Sequence, residues 1–297
     1  MVMAVKDQGA VGGRQKAEGR RQKAVDSAHG MEGRGKGDPS RASGVSHTGQ
    51  DRLLRFPYDA GPSCEKGSGH LMLDLNTFSM VARDTVTGAF GMVVATARPA
   101  VGSLVPFVSL SGGVATQARV NTDLGRRGIA LLEQGVPIGL AMRALLEEDP
   151  DREIRQVHGM DAKGAFCHTG ANCVPWCGHR EGDRFTVAGN MLAGPQVIQA
   201  MAEAFEAGRS GGREFSECLL QALEAGQAAG GDKRGKQSAV LLVASREPRG
   251  YHNLRVDDHV DPVAELRRVY DLVVQHSMKI EKEYGPEGLR LFSRVKY

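Results

Sequence analysis

No stretch of this 297-residue chain approaches the roughly eighteen consecutive apolar residues that a membrane span needs, and its first residues lack the apolar core of a secretory signal. Both absences point to a cytoplasmic protein with no membrane partner. Cysteine is scarce as well: five, an odd number, stand at positions 64, 167, 173, 177 and 218, which is no disulfide framework, and reduced thiols suit the same compartment. There is no C-x-x-C pair and no His-x3-His pair. The cluster Cys167, His168, Cys173, Cys177 and His179 therefore matches no common zinc module, and Cys167 and His168, adjacent on an expected strand, point to opposite faces. A zinc-dependent hydrolase built on this cluster is a minor alternative; no metal and no cofactor are expected. No G-x-S-x-G occurs either, which removes the nucleophile elbow of serine hydrolases.

What the chain does contain is unevenly placed. Residues 1–70 hold 13 of the 39 glycines and 12 Lys/Arg against 8 Asp/Glu, leaving 26 against 27 for the remainder. The first segment thus carries the whole basic excess without any hydrophobic period, and it is expected to be a disordered leader. Its interspersed acids dilute the field that a nucleic-acid-binding arm would need, so no nucleic-acid partner is expected. A translation start at Met72, with the leader outside the protein, is another reading of the same segment. Residues 71–275 form the expected body and 276–297 a C-terminal extension.

The body opens on a hairpin, with Thr77-Phe-Ser-Met-Val-Ala-Arg-Asp84 and Ala89 to Arg98 flanking a turn at Thr87 and Gly88. Strands at 104–110 and 113–118 follow, then two helices, one capped within 121–123 and ended by Gly135, the other opened by Pro137 and stopped at Asp149-Pro150. Strands return at 154–161, 165–169 and 184–189, before helices from Pro195 and Phe215. A buried strand at 238–244, an edge strand at 254–256 and a last helix from Asp261-Pro262 complete the order. Strands that come in blocks, separated by helix pairs, argue against a doubly wound sheet. They favour an α+β fold, a four-layer αββα sandwich of two antiparallel sheets.

Two motifs bear on chemistry. Residues 230–238, Gly-Gly-Asp-Lys-Arg-Gly-Lys-Gln-Ser, imitate a phosphate-binding loop, but Gln237 stands where the magnesium-binding hydroxyl belongs, and the segment follows a helix and opens a strand, the reverse of the required context. The loop still gathers Asp232, Lys233, Arg234 and Gln237 at the mouth of a buried strand. It reads equally as a solvated turn or as a loop reaching into a site. The other motif is Thr77, a hydroxyl residue where globular sequence begins. An N-terminal threonine carries its own base, an α-amine with a pKa of about 8, and needs no histidine. Gln117 and Asn190 are the candidate oxyanion donors or amine holders, with Arg98, at the end of the hairpin, as a further polar supplier. Asn121, at the end of the polar run after Gln117, is both a helix-capping choice and a substrate-binding candidate. Ser79, on the same strand face as Thr77, is a weaker substitute nucleophile, and none of the histidines, His158 included, has a neighbour pattern that singles it out as a base.

From about Asn76 to Tyr270 the chain resembles domain-of-unknown-function family 1028. The likeness rests on Thr-Phe-Ser-Met-Val-Ala-Arg-Asp at 77–84, Ala-Val-Gly-Ser at 100–103, Ala-Thr-Gln-Ala at 115–118, His-Thr-Gly at 168–170, Gly-Asn-Met-Leu-Ala-Gly-Pro at 189–195, the run 225–238, and Leu-Arg-Val-Asp-Asp-His at 254–259. The resemblance implies membership of the N-terminal nucleophile hydrolase superfamily, with the first hairpin at the centre of the sandwich and the polar turns gathered at one end. The expectation is then a hydrolase of small amides or other C–N bonds, as a homo-oligomer. Thr77 attacks the carbonyl carbon, Gln117 or Asn190 helps hold the oxyanion, and Arg98 with the 231–237 loop binds a carboxylate on the small-molecule substrate. Its α-amine exists only if the Asn76–Thr77 bond is cut, which the superfamily would accomplish by attack of the Thr77 hydroxyl on the preceding carbonyl. A chain with Thr77 left internal would instead be a small-molecule-binding or structural member of the fold.

Overall fold

The computed structural model describes residues 74–75 and 77–293, with side chains for residues 77–285. The expected disordered leader, the alternative start at Met72 and the Asn76 side of the expected cleavage point lie outside the described residues. Eleven strands and five helices are described: β1 (Asp74–Leu75), β2 (Thr77–Arg83), β3 (Phe90–Thr96), β4 (Pro106–Ser109), β5 (Gly112–Arg119), α1 (Thr122–Glu133), α2 (Ile138–Glu148), β6 (Arg155–Asp161), β7 (Ala165–Thr169), β8 (Gly178–Gly182), β9 (Phe185–Gly189), α3 (Gln196–Ser210), α4 (Phe215–Ala228), β10 (Ser238–Ala244), β11 (Asn253–Val256) and α5 (Pro262–Ser293). They form two antiparallel sheets. One runs β1-β5-β6-β7, with β4 also on β5; the other runs β11-β10-β3-β2-β9-β8.

The burial pattern explains why the layers stack in this order. Along β2, Phe78, Met80 and Ala82 point into a core shared with Leu219 and Leu223 of α4 and Met201 of α3, while Val81, on the other face, joins Met92, Val94, Ala115 and Met160 between the sheets. A strand buried on both faces needs cover on both, so β2 and β3 lie at the centre of an α+β sandwich with helices outside each sheet. On the far side, α1 and α2 bury Leu124, Leu132, Ile138, Met142 and Leu145 against Val114 and Val157. Gly125 sets the depth of that packing, because a Cβ there would sit 2.0 Å from the Phe107 ring.

The helix ends follow the signals in the sequence. Asn121 caps α1 by accepting the Asp123 N–H, and α2 begins just after Pro137. α3 and α4 continue past the apolar stripes that announced them, to Ser210 and Ala228. α5 runs through residue 275 and leaves helical geometry only at Gly285, where φ is 68°. β8, not anticipated from sequence, forms the edge of the second sheet beside β9.

Candidate functional site

Strand alternation puts Thr77 and Ser79 on the face of β2 that looks across to the other sheet. Both are fully buried. The residues they meet come from β5, β6 and β9: Gln117, Gln156, His158 and Thr186 are all buried, as is Asn190 in the turn after β9. Buried polar groups must find partners, and here they find one another.

Gln156 is the hub. Its side-chain nitrogen reaches the carbonyl oxygens of Gly189 at 3.0 Å and Gly178 at 3.1 Å, and the Thr169 hydroxyl at 2.9 Å. Carbonyls only accept, so that end must be the nitrogen and the oxygen must face the other way. There it accepts from Gln117 Nε2 at 2.8 Å and Asn190 Nδ2 at 3.0 Å. The orientation passes on: with its nitrogen committed to Gln156, Gln117 turns its oxygen to Ser79, whose hydroxyl donates to it at 2.7 Å. Ser79 has a single proton, so His158 Nε2, 2.7 Å from Ser79 Oγ, is the donor in that contact, and His158 Nδ1 accepts from the Thr186 hydroxyl at 2.9 Å. The imidazole is neutral with its proton on Nε2. Burial, with a further contribution from His179, pushes its pKa down to about 3, in keeping with that state.

This wiring decides one chemical question. A serine activated by histidine must donate its proton to the ring, whereas Ser79 receives one from it. The Ser79–His158 contact, 2.7 Å long, is a positioning contact within an amide network rather than a nucleophile–base pair.

Thr77 stands where this network meets the surface loops. Its carbonyl accepts from the Asn190 N–H at 3.0 Å, and it pairs with Thr96 across the sheet. The residues before it belong to the opposite sheet: Asp74 and Leu75 pair with Arg119 and Ala118 of β5. The 230–237 loop closes over the same end, since Ala193 N–H donates to Gly231 O, Lys233 N–H to Met191 O, and Gln237 N–H to Thr96 O.

The fold thus gathers Thr77, Gln117 and Asn190 at one end of the sandwich, with the 230–237 loop beside them. Asn121 is placed differently: its oxygen caps α1 and its nitrogen donates to Asp149, itself paired with Arg155. Asp232 accepts from Ala97 N–H and from the Arg234 backbone and guanidinium, Lys233 donates to the Pro175 carbonyl, Lys236 pairs with Asp261, and Gln237 donates to Asp258. Arg98 lies exposed in the loop after β3, its carbonyl accepting from Ser238, and among the described residues its guanidinium makes no ion pair.

The cysteine-histidine cluster is dispersed over β7, β8 and the loop between them, and among the described residues no three His, Cys, Asp or Glu side chains are placed to hold a metal ion. Burial raises the Cys167 thiol to about 12 and that of Cys173 to about 11, so both are protonated near neutrality. No helix among the described residues is long and apolar enough to cross a membrane.

A family model matches residues 77–266, nearly two thirds of the chain, under the description "family of unknown function (DUF1028)". The chain belongs to DUF1028. The crystal structure of protein SPO2555 from Silicibacter pomeroyi, also assigned to DUF1028, is similar at 32% sequence identity with a TM-score of 0.61, over 66% of this chain and 88% of that one. No curated protein matches. In this DUF1028 chain the family match opens at Thr77, the residue at which the polar end of β2 begins.

Proposed function

We propose that the protein is a hydrolase of a small amide or other C–N bond in which Thr77, once N-terminal, is the nucleophile. The observation that carries this reading is the position of Thr77: a hydroxyl residue at the first position of a central strand and of the family match, on the strand face that looks onto a polar network between two sheets. Membership of the N-terminal nucleophile superfamily is part of the proposal.

The chemistry proceeds in two stages. In maturation, Thr77 Oγ bonds to the carbonyl carbon of residue 76; the Asn76–Thr77 C–N bond breaks, the hydroxyl proton passes to the departing nitrogen, and water hydrolyses the resulting ester. Thr77 is left with a free α-amine. In turnover the amine accepts the hydroxyl proton as Oγ attacks the substrate carbonyl, then delivers it to the leaving nitrogen, and water again releases the acyl group. Gln117, which gives one amide proton to Gln156 and keeps a second, or Asn190, also held by Gln156, helps polarise the oxyanion. Arg98 receives a substrate carboxylate. The other cations of the 231–237 loop already have protein partners, which narrows the binding role expected of it from sequence. A closed homo-oligomer and a cytoplasmic location belong to the same proposal.

Intact mass and N-terminal sequencing of protein expressed from Met1 test the first stage. A species beginning at Thr77, absent from Thr77→Ala and present in Thr77→Ser, is expected; activity of Thr77→Ala equal to wild type on any amide that the protein hydrolyses would sink the second. An uncut chain that binds but does not turn over carboxylate-bearing amides would establish the binding-protein alternative. The observation favouring that alternative is the burial of Thr77 in the continuous chain.

A further inference from the structure

The three central strands of the second sheet have another end. Opposite Thr77, where β2 runs out to Asp84, β3 starts after Ala89 and β10 ends at Ala244, a cleft of about 490 Å³ opens between the 84–89 turn, the start of α4 and the 245–252 loop. That volume lies within the span of small-molecule sites.

Three carboxylates and three guanidiniums line this cleft, and they differ in how far their valences are used. The Asp84 carboxylate is consumed by Arg209 and by the Thr87 hydroxyl and N–H. Glu214 is engaged through one oxygen: Oε2 caps α4 through the Glu217 N–H and accepts from Ser216 and Tyr270. The cations are less committed. Arg213 is exposed and makes no side-chain hydrogen bond or ion pair among the described residues, and Arg249 reaches Glu247, itself largely exposed, only at 3.7 Å. His252 accepts the Arg249 N–H on Nδ1, which leaves an N–H donor on Nε2. Beside these donors stand apolar surfaces: the buried Phe215, the half-buried Tyr251, and Val86, which is 87% exposed at the rim.

We propose that this cleft is a second binding site, separate from the Thr77 end, for a small anion, a carboxylate or phosphate, carried on an aromatic or apolar body. Arg213 and Arg249 hold the anion, and Phe215, Tyr251 and Val86 cover the body. The site depends neither on cleavage at Thr77 nor on hydrolysis.

Calorimetric titration of the full chain tests it, with phenyl phosphate and benzoate as probes and phenol as the uncharged control. Saturable binding of phenyl phosphate or benzoate, with none of phenol, is expected. Arg213→Glu is expected to weaken it at least tenfold, and Arg249→Gln to weaken it again, while Thr77→Ala binds as wild type does. An unchanged thermal midpoint of the free Arg213→Glu protein shows that the fold is intact. No saturable binding of either anion, or equal binding by Arg213→Glu, would overturn the proposal.

Discussion

β2 carries the two ends of the molecule on seven residues. At Thr77 and Ser79 it enters a buried interface where neutral amides and hydroxyls satisfy one another; beyond Arg83 it emerges at a cleft where carboxylates and guanidiniums pair beside open space. Both ends are polar, yet they differ in what happens when a partner is lost. Water can replace a missing group at the cleft, whereas between the sheets a missing group leaves its neighbours stranded.

The largest effect expected from this contrast is at Gln156. Gln156→Leu removes the acceptor of Gln117 and Asn190 and the donor to the Gly178 and Gly189 carbonyls. At about 1–3 kcal/mol for each buried group left unsatisfied, partly offset by relaxation, a loss of about 4 kcal/mol is expected in urea denaturation. A loss below about 1 kcal/mol would mean that water enters the interface, and the two ends would not then differ in kind.

Each end also holds a buried histidine, and the pair sharpens the comparison. Burial lowers His158 to about 3 and His252, chiefly by the same cause, to about 4, against 6.5 for the free side chain. Below 6.5 the unfolded chain binds protons at both positions while the folded chain does not, so folding weakens as pH falls, by about 1.4 kcal/mol per unit for each histidine. For either, the contribution is fully present above pH 6.5 and is lost on descending toward the folded value. Over the interval from pH 6.5 to 4, His252→Gln is therefore expected to flatten the stability curve by about 3 kcal/mol relative to wild type. An unchanged slope would show that the cleft hydrates His252 and that only the interface histidine is dry.

Much of the frame was legible from local chemistry. The hairpin turn, the Asn121 cap, Pro137 and the apolar run Ser238–Ala244 are short-range signals, and each marks an element where it was expected. β8 was not legible because Gly-His-Arg-Glu-Gly offers no β-branched residue and alternates half-buried with exposed, as an edge strand does. The network escaped for another reason: Ser79 and His158 are 79 positions apart and meet only because one sheet packs on the other. One signal could have pointed there. Gln156 and His158 are polar residues two apart in a strand otherwise made for burial, as Thr77 and Ser79 are in β2, and polar pairs with strand period on core-facing strands mark a polar interface.

The smallest expected effect concerns the 231–237 loop, where buried and exposed charge pairs lie side by side. Asp232 is buried and holds Ala97 N–H and Arg234, whereas Lys236 makes an ion pair with Asp261 in which both side chains remain more than a third exposed. Such a pair is worth little once side-chain entropy and screening are counted. Lys236→Ala is expected to change stability by less than about 0.5 kcal/mol in urea denaturation, with the change vanishing at high salt. A larger loss would place Lys236 with Asp232 among the groups that hold the loop in shape. A negligible loss accompanied by a raised KM on a carboxylate-bearing amide would instead assign it to the substrate, and would widen the binding role of this loop beyond what its internal pairing suggests.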